Sequence, residues 1–140
     1  MVFGASRGIG LRVVKEALLQ GYHVKAFSRS AQDMDFEDQN LSKIAGDALS
    51  RDDVKAALQD VQAVIQVLGV PINKALLTGP IDLFSKATEI LVKEMQRKGV
   101  RRFIAVTGYG AGHSKQTIGP LQRIGYEAVF KYAYGDKDKQ

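Results

Sequence analysis

Apolar residues along this chain follow two alternating rhythms. Short β-branched or aromatic runs give way to stretches in which apolar positions return every third or fourth residue, and glycines or polar clusters mark the changes. Val2 and Phe3 end a first strand. Gly4 to Gly10 then turns into a helix running to about Gln20, with Ile9, Val13, Ala17 and Leu18 at helical spacing. Gly21 closes that helix, since glycine adopts the left-handed conformation a helix end needs. Tyr22 to Phe27 predicts a second strand and the polar, acidic Ser30 to Asn40 a loop. Ser42 to Ala45 predicts a short third strand, ended by Gly46-Asp47. Arg51 to Asp60 predicts a helix with Val54, Ala57 and Leu58 on its apolar side. Val61 to Leu68 gives the strongest strand signal, almost wholly apolar as a central parallel strand is. After a loop from Gly69 to Gly79, Ile81 to Lys98 predicts a long amphipathic helix with Phe84, Ala87, Leu91 and Met95 on one stripe. Gly99 ends it, and Arg102 to Thr107 predicts a fifth strand. Gly108 to Gly119 reads as a loop and Leu121 to Tyr134 as a helix, before a charged tail from Gly135 to Gln140.

Strands alternating with helices predict an α/β fold, with helical crossovers between the strands of a parallel sheet. A length of 140 residues suits one domain with its own core. Only three residues precede Gly4, fewer than the roughly five or six of an average strand. The sequence also ends inside a charged, helix-compatible run. Both features predict an incomplete domain, whose uncovered apolar surface would lead either to association, as in a homodimer, or to modest stability.

Composition narrows the chemistry. Cysteine is absent, which excludes disulfides and thiolate metal sites, and His23 and His113 stand alone, so no metal site is expected. No apolar run reaches membrane-span length and no signal-peptide pattern opens the chain. A soluble, cytoplasmic protein with no membrane partner is therefore expected. The net charge of +5 raises the question of nucleic acid. Yet the basic residues are spread along the chain, and the densest group, Arg97, Lys98, Arg101 and Arg102, brackets a helix end where cations are favourable. Nucleic acid is not the expected partner. A basic face that attracts an anionic cofactor is.

The segment Gly4-Ala5-Ser6-Arg7-Gly8-Ile9-Gly10 lies between a strand end and an amphipathic helix. Glycines there permit a tight turn and let backbone approach a pyrophosphate, while the helix offers unpaired N–H groups and its positive end. The G-x-x-x-G-x-G spacing resembles the first turn of the short-chain dehydrogenase/reductase superfamily. Gly46-Asp47-Ala48-Leu49 is similar to that superfamily's adenine-contacting segment after the third strand, and Val67-Leu68-Gly69 stands where its fourth strand ends. Val106-Thr107-Gly108-Tyr109-Gly110-Ala111-Gly112 resembles the atypical, NAD(P)H-binding branch, NmrA-like and biliverdin reductase B-like, which includes flavin reductases. The resemblance implies a Rossmann-like, doubly wound parallel sheet in three αβα layers with strand order 3-2-1-4-5. It further implies a single NAD(P)-binding domain over residues 1–140, with the cofactor over the carboxyl ends of the strands. Cofactor contacts would come from Gly4, Ser6, Arg7, Gly8, Ile9, Gly10, Ser28, Arg29, Asp47, Ala48, Leu68, Gly69 and Thr107. A C-terminal part forming the pocket for a small-molecule substrate would lie beyond this chain.

NAD sites place a carboxylate at the end of the second strand to hold the ribose 2′-hydroxyl. Here that position reads Phe27-Ser28-Arg29-Ser30, with no carboxylate before Asp33. A guanidinium binds a 2′-phosphate through paired charge-assisted bonds, Ser28 and Ser30 can add neutral ones, and Arg7 could reach the same group from the glycine loop. NADP(H) is the expected cofactor. The Tyr-x-x-x-Lys pair of the superfamily's main branch is absent: the residues four after Tyr22, Tyr109, Tyr126, Tyr132 and Tyr134 are Ala26, His113, Phe130, Asp136 and Asp138. Thr107, Tyr109 and His113, with Ser114 beside them, are left as candidates for orienting a substrate or supplying a proton. In flavin-reducing relatives the nicotinamide does the hydride chemistry and the protein chiefly positions it. The expected function is an NADPH-dependent reductase of a flat acceptor such as a flavin or quinone. The alternatives are a non-catalytic NADP(H)-sensing regulator and an assembly factor.

Overall fold

The computed structural model describes residues 1–69, 82–106 and 136. The chain forms two compact units, Met1–Leu68 with Ile90–Val106 and Gly69–Glu89 with Thr107–Gln140. The first holds five strands: β1 (Val2–Phe3), β2 (Val24–Ser28), β3 (Leu41–Ala45), β4 (Ala63–Gln66) and β5 (Arg102–Ala105). All pair in parallel, in the order β3-β2-β1-β4-β5, as the glycine-loop resemblance implied. Between them run α1 (Gly8–Leu19), α2 (Arg51–Ala57) and α3 (Leu83–Lys98). The order reverses direction after β3. Right-handed crossovers therefore send α1 to one face of the sheet, and α2 and α3 to the other.

The two residues of β1 show the division. Val2 lies in register with Ala26 and Ile65 and joins the cluster of Val14, Val24 and Met34 beneath α1. Phe3 points the opposite way, in register with Phe27, and their rings stack with centroids 4.8 Å apart. Phe27 in turn reaches Gly46, where an added Cβ would meet its ring at 2.5 Å. Short as it is, β1 is the centre of the sheet. The Met1 ammonium extends its ladder by donating to the Ala63 carbonyl at 2.7 Å.

Helix ends follow local chemistry. Gly21 and Gly99 take φ +80 and +72, and each lets the next residue's N–H reach back across the last turn, Tyr22 to Ala17 and Val100 to Met95. Ser50 caps α2 by accepting from the Asp53 N–H, and Asp52 and Asp53 complement the positive end of that helix. The buried Glu94 carboxylate of α3 accepts from Arg51 of α2 at 2.7 Å and pairs with Arg97 one turn on. Arg97 and Lys98, two of the basic residues around the helix end, are thus engaged locally, Lys98 with Gln59. In the second unit the Asp136 carboxylate accepts from the Phe84 and Ser85 N–H groups at 2.6 and 3.3 Å, supplying the cap for the start of α3.

Several expected boundaries shift. Tyr22 and His23 are exposed and precede β2, because the turn that closes α1 uses Tyr22. The expected loop from Ser30 contains a 3-10 turn, Ala31–Asp33. The helix expected to reach Asp60 stops at Ala57, and Asp60 turns the chain at φ +54. The α3 stripe of Phe84, Ala87, Leu91 and Met95 is buried throughout. The α1 stripe is not: Ile9 is 60% exposed, and Val14 lies at the centre of the buried face. The helix begins at Gly8, so its first turn overhangs the sheet edge and has no core beneath Ile9. The loop and helix expected after Thr107 lie outside the described residues. Among the described residues, no helix is long and apolar enough to cross a membrane and no acidic or histidine cluster could hold a metal.

Candidate functional site

The site forms where the carboxyl ends of β1, β2 and β4 meet. Beyond β1 the chain stays on its neighbours: the N–H groups of Gly4 and Ala5 both donate to the Phe27 carbonyl, at 2.9 and 3.2 Å, and Val67 donates to Phe3 at 2.7 Å. Three glycines serve three different needs. Gly4 takes φ +94, and a Cβ there would stand 2.7 Å from the Val67 carbonyl oxygen. A Cβ on Gly10 would lie 2.0 Å from the Gly4 carbonyl oxygen, so helix and loop touch backbone to backbone. Gly8 takes φ +56 with nothing within 4 Å of its Cβ position, so its constraint is conformational and the space beside it is open.

That open space adjoins the start of α1. Arg7 occupies the cap position in extended conformation, with no side chain capping the helix and no acidic residue in the first turn. The orphan N–H groups and the positive end of the helix are left for an external anion. Arg7 and Ile9 are exposed beside them, and Ala5 is fully buried below. Ile9, removed from the expected apolar stripe, remains as an apolar surface at the mouth of the loop.

At the end of β2, Arg29 is exposed between two serines. The Ser28 hydroxyl is buried and, among the described residues, has no hydrogen-bond partner. Ser30 donates to the Ser6 hydroxyl at 2.9 Å, linking this turn to the glycine loop. The backbone of Ser28 accepts from Gly46 at 3.2 Å, which brings in the turn after β3. There Asp47 is occupied locally: its carboxylate accepts from Leu49 at 3.0 Å and its N–H donates to Asp53 at 2.9 Å. Ala48 is buried beside it, while Leu49 is 42% exposed. Leu49 was expected only as part of its motif, and Ser30 was expected to add a hydrogen bond to a 2′-phosphate and not to bond Ser6. Leu49 carried no sequence signal beyond its motif, and the Ser30 bond joins residues 24 apart.

The structure thus brings Gly4, Ser6, Arg7, Gly8, Ile9, Gly10, Ser28, Arg29, Asp47 and Ala48 to one region of the sheet edge, with Leu68 following Val67 next to Gly4. Gly69 opens the second unit. Thr107, Tyr109 and His113 lie outside the described residues. A backbone cradle that a Cβ would fill, an uncapped helix start and an unpartnered buried hydroxyl fit the phosphates and ribose of a dinucleotide.

Comparison with known proteins agrees with this geometry. A family model described as NAD(P)H-binding matches residues 4–140. Cinnamoyl-CoA reductase 1 of Oryza sativa subsp. japonica is 29% identical over 127 residues, covering 85% of this chain and 37% of that protein. Among solved structures, ChuY, an anaerobillin reductase from Escherichia coli O157:H7, is similar with a TM-score of 0.72 at 23% identity, covering 99% of this chain and 62% of that one. A short-chain dehydrogenase/reductase from Veillonella parvula DSM 2008, solved in complex with NADP, gives a TM-score of 0.73 at 15% identity, over 99% of this chain and 59% of that one. At such identities the two structures show a shared fold. The chain spans less than two thirds of each of these proteins.

Proposed function

The chain belongs to the NAD(P)H-binding family, and on that premise we propose that it is the cofactor-binding part of an NADPH-dependent reductase acting in the cytoplasm on a flat acceptor such as a flavin or quinone. The carrying observation is the end of β2, where the exposed Arg29 stands beside the glycine loop and the sequence places no carboxylate before Asp33 to hold a ribose 2′-hydroxyl. In this reading Arg29 and Arg7 hold the 2′-phosphate, and the start of α1 holds the pyrophosphate between Gly4, Gly8 and Gly10. Ile9, Ala48, Leu68 and Gly69 flank the rings, and Ser28 gives its hydroxyl to the ribose or phosphate. NADPH, when bound, supplies the hydride. The chain's part is to orient the nicotinamide and exclude water, with Thr107, Tyr109 and His113 available to orient the acceptor or hold a proton. No Tyr-x-x-x-Lys pair lies within these 140 residues to serve as the base that alcohol oxidation needs for the hydroxyl proton. Hydride transfer to a flat acceptor needs chiefly a stacked approach.

Calorimetric titration with NADPH and NADH tests the cofactor, and NADPH turnover against a panel of flavins, quinones and alcohols tests the chemistry. NADPH should bind tighter than NADH, and Arg29→Ala should remove about 1.5–3 kcal/mol of that preference. In a form carrying the substrate-binding part, flavin or quinone reduction should exceed any alcohol oxidation, and Thr107→Ala or Tyr109→Phe should slow it by less than about a hundredfold. Equal affinity for the two cofactors would refute the NADPH assignment. Tight NADPH binding without turnover on any acceptor would instead identify a sensor.

A further inference from the structure

Ser30 stands at the cap position of the 3-10 turn Ala31–Asp33, where a serine side chain ordinarily accepts from the turn's own N–H groups. It makes no such bond. The Asp33 N–H is satisfied by the Ser30 carbonyl at 3.2 Å, and the Ser30 hydroxyl donates instead to Ser6 at 2.9 Å. Ser6 directly precedes Arg7, and Ser30 directly follows Arg29. The hydroxyl bridge therefore fastens together the two segments that carry the exposed guanidinium groups of the site. Hydroxyls linked in this way polarise one another.

We infer that Ser30 is a positioning residue for cofactor choice: through its bond to Ser6 it holds Arg7 and Arg29 at the spacing that lets both reach one 2′-phosphate. The inference rests on the NADPH reading above. A bridge that merely braced the glycine loop would serve NADPH and NADH alike, since the pyrophosphate is common to both. A bridge that sets the arginine pair acts on NADPH alone.

Titration of Ser30→Ala, Ser6→Ala, the double variant and Ser30→Thr with both cofactors separates these cases. Ser30→Ala should weaken NADPH binding about fivefold, the worth of one ordinary hydrogen bond, and leave NADH within about twofold. The double variant should bind NADPH no more weakly than Ser6→Ala alone, because the bridge is already gone, and Ser30→Thr should restore most of the loss. Equal weakening of NADPH and NADH by Ser30→Ala, or no weakening of either, overturns the inference. If Ser30→Ala unfolds, Ser6→Ala removes the same bridge from the other side and is read against Ser30→Thr by the same NADPH-to-NADH ratio. Arg29→Ala, measured alongside, reports on the underlying reading: if it too leaves NADPH affinity unchanged, the 2′-phosphate assignment fails. If only the serine variants are silent, the bridge alone is excluded.

Discussion

A methyl group distinguishes the roles of neighbouring glycines in the loop. Gly10→Ala would place carbon 2.0 Å from the Gly4 carbonyl oxygen, and backbone on both sides leaves nothing flexible to move away. The loop must separate from the helix. Gly8→Ala meets no atom and suffers only the left-handed backbone, at a cost of about 1–2 kcal/mol. Thermal unfolding should therefore show Gly10→Ala as the more destabilised by several degrees, while both lose NADPH affinity. Comparable melting temperatures would mean that the loop yields more easily than its contacts suggest. The sequence marked both positions as glycine with equal force. What it could not distinguish was steric contact from conformational freedom, because Gly10 meets Gly4 only once the loop has turned α1 back onto the end of β1.

Pairs of elements are held by less visible devices. Glu94 is 1% exposed yet charged, and hydrogen bonding from Arg51, then from Arg97, holds its carboxyl below the usual range against the opposing effect of burial. A carboxyl whose folded value is depressed contributes stability that is complete above its unfolded value and disappears as pH falls through the folded one. Glu94→Gln should accordingly melt a few degrees below wild type at pH 7, and the gap should close as wild-type Glu94 becomes protonated in acid. A gap that persists unchanged at low pH would assign the loss to packing and not to charge. Periodicity revealed α2 and α3 from Val54, Ala57, Leu58 and the Phe84 stripe, because apolar spacing is a property of a helix by itself. The Arg51–Glu94 pair was not legible, being a contact between elements 43 residues apart. Ile9 misled for a related reason: its spacing was helical, but whether a core lies beneath the first turn depends on where the sheet ends.

On the scale of the whole molecule, the cofactor should act as a stabilising ligand. Binding to the folded state alone adds about 2.7 kcal/mol at a hundredfold excess over Kd. For a chain of this length that is a rise of roughly 5–15 °C in melting temperature, given several degrees per kcal/mol. NADPH should produce the larger rise and NADH, at the same concentration, a smaller one; identical shifts would count against the arginine assignment. Fold class was legible because strands alternating with helices call for a parallel sheet with helical crossovers, whereas the strand order came only with the resemblance carried by the glycine turn. The central place of β1 has a consequence in time. Val2 is made some sixty residues before its partner Ile65, an interval of about 3–12 s at ordinary rates of synthesis. Until then one side of β1 stays unpaired and Gly4 has no Val67 to rest against, so the cofactor cradle is made of parts from opposite ends of that interval and cannot exist before β4 arrives.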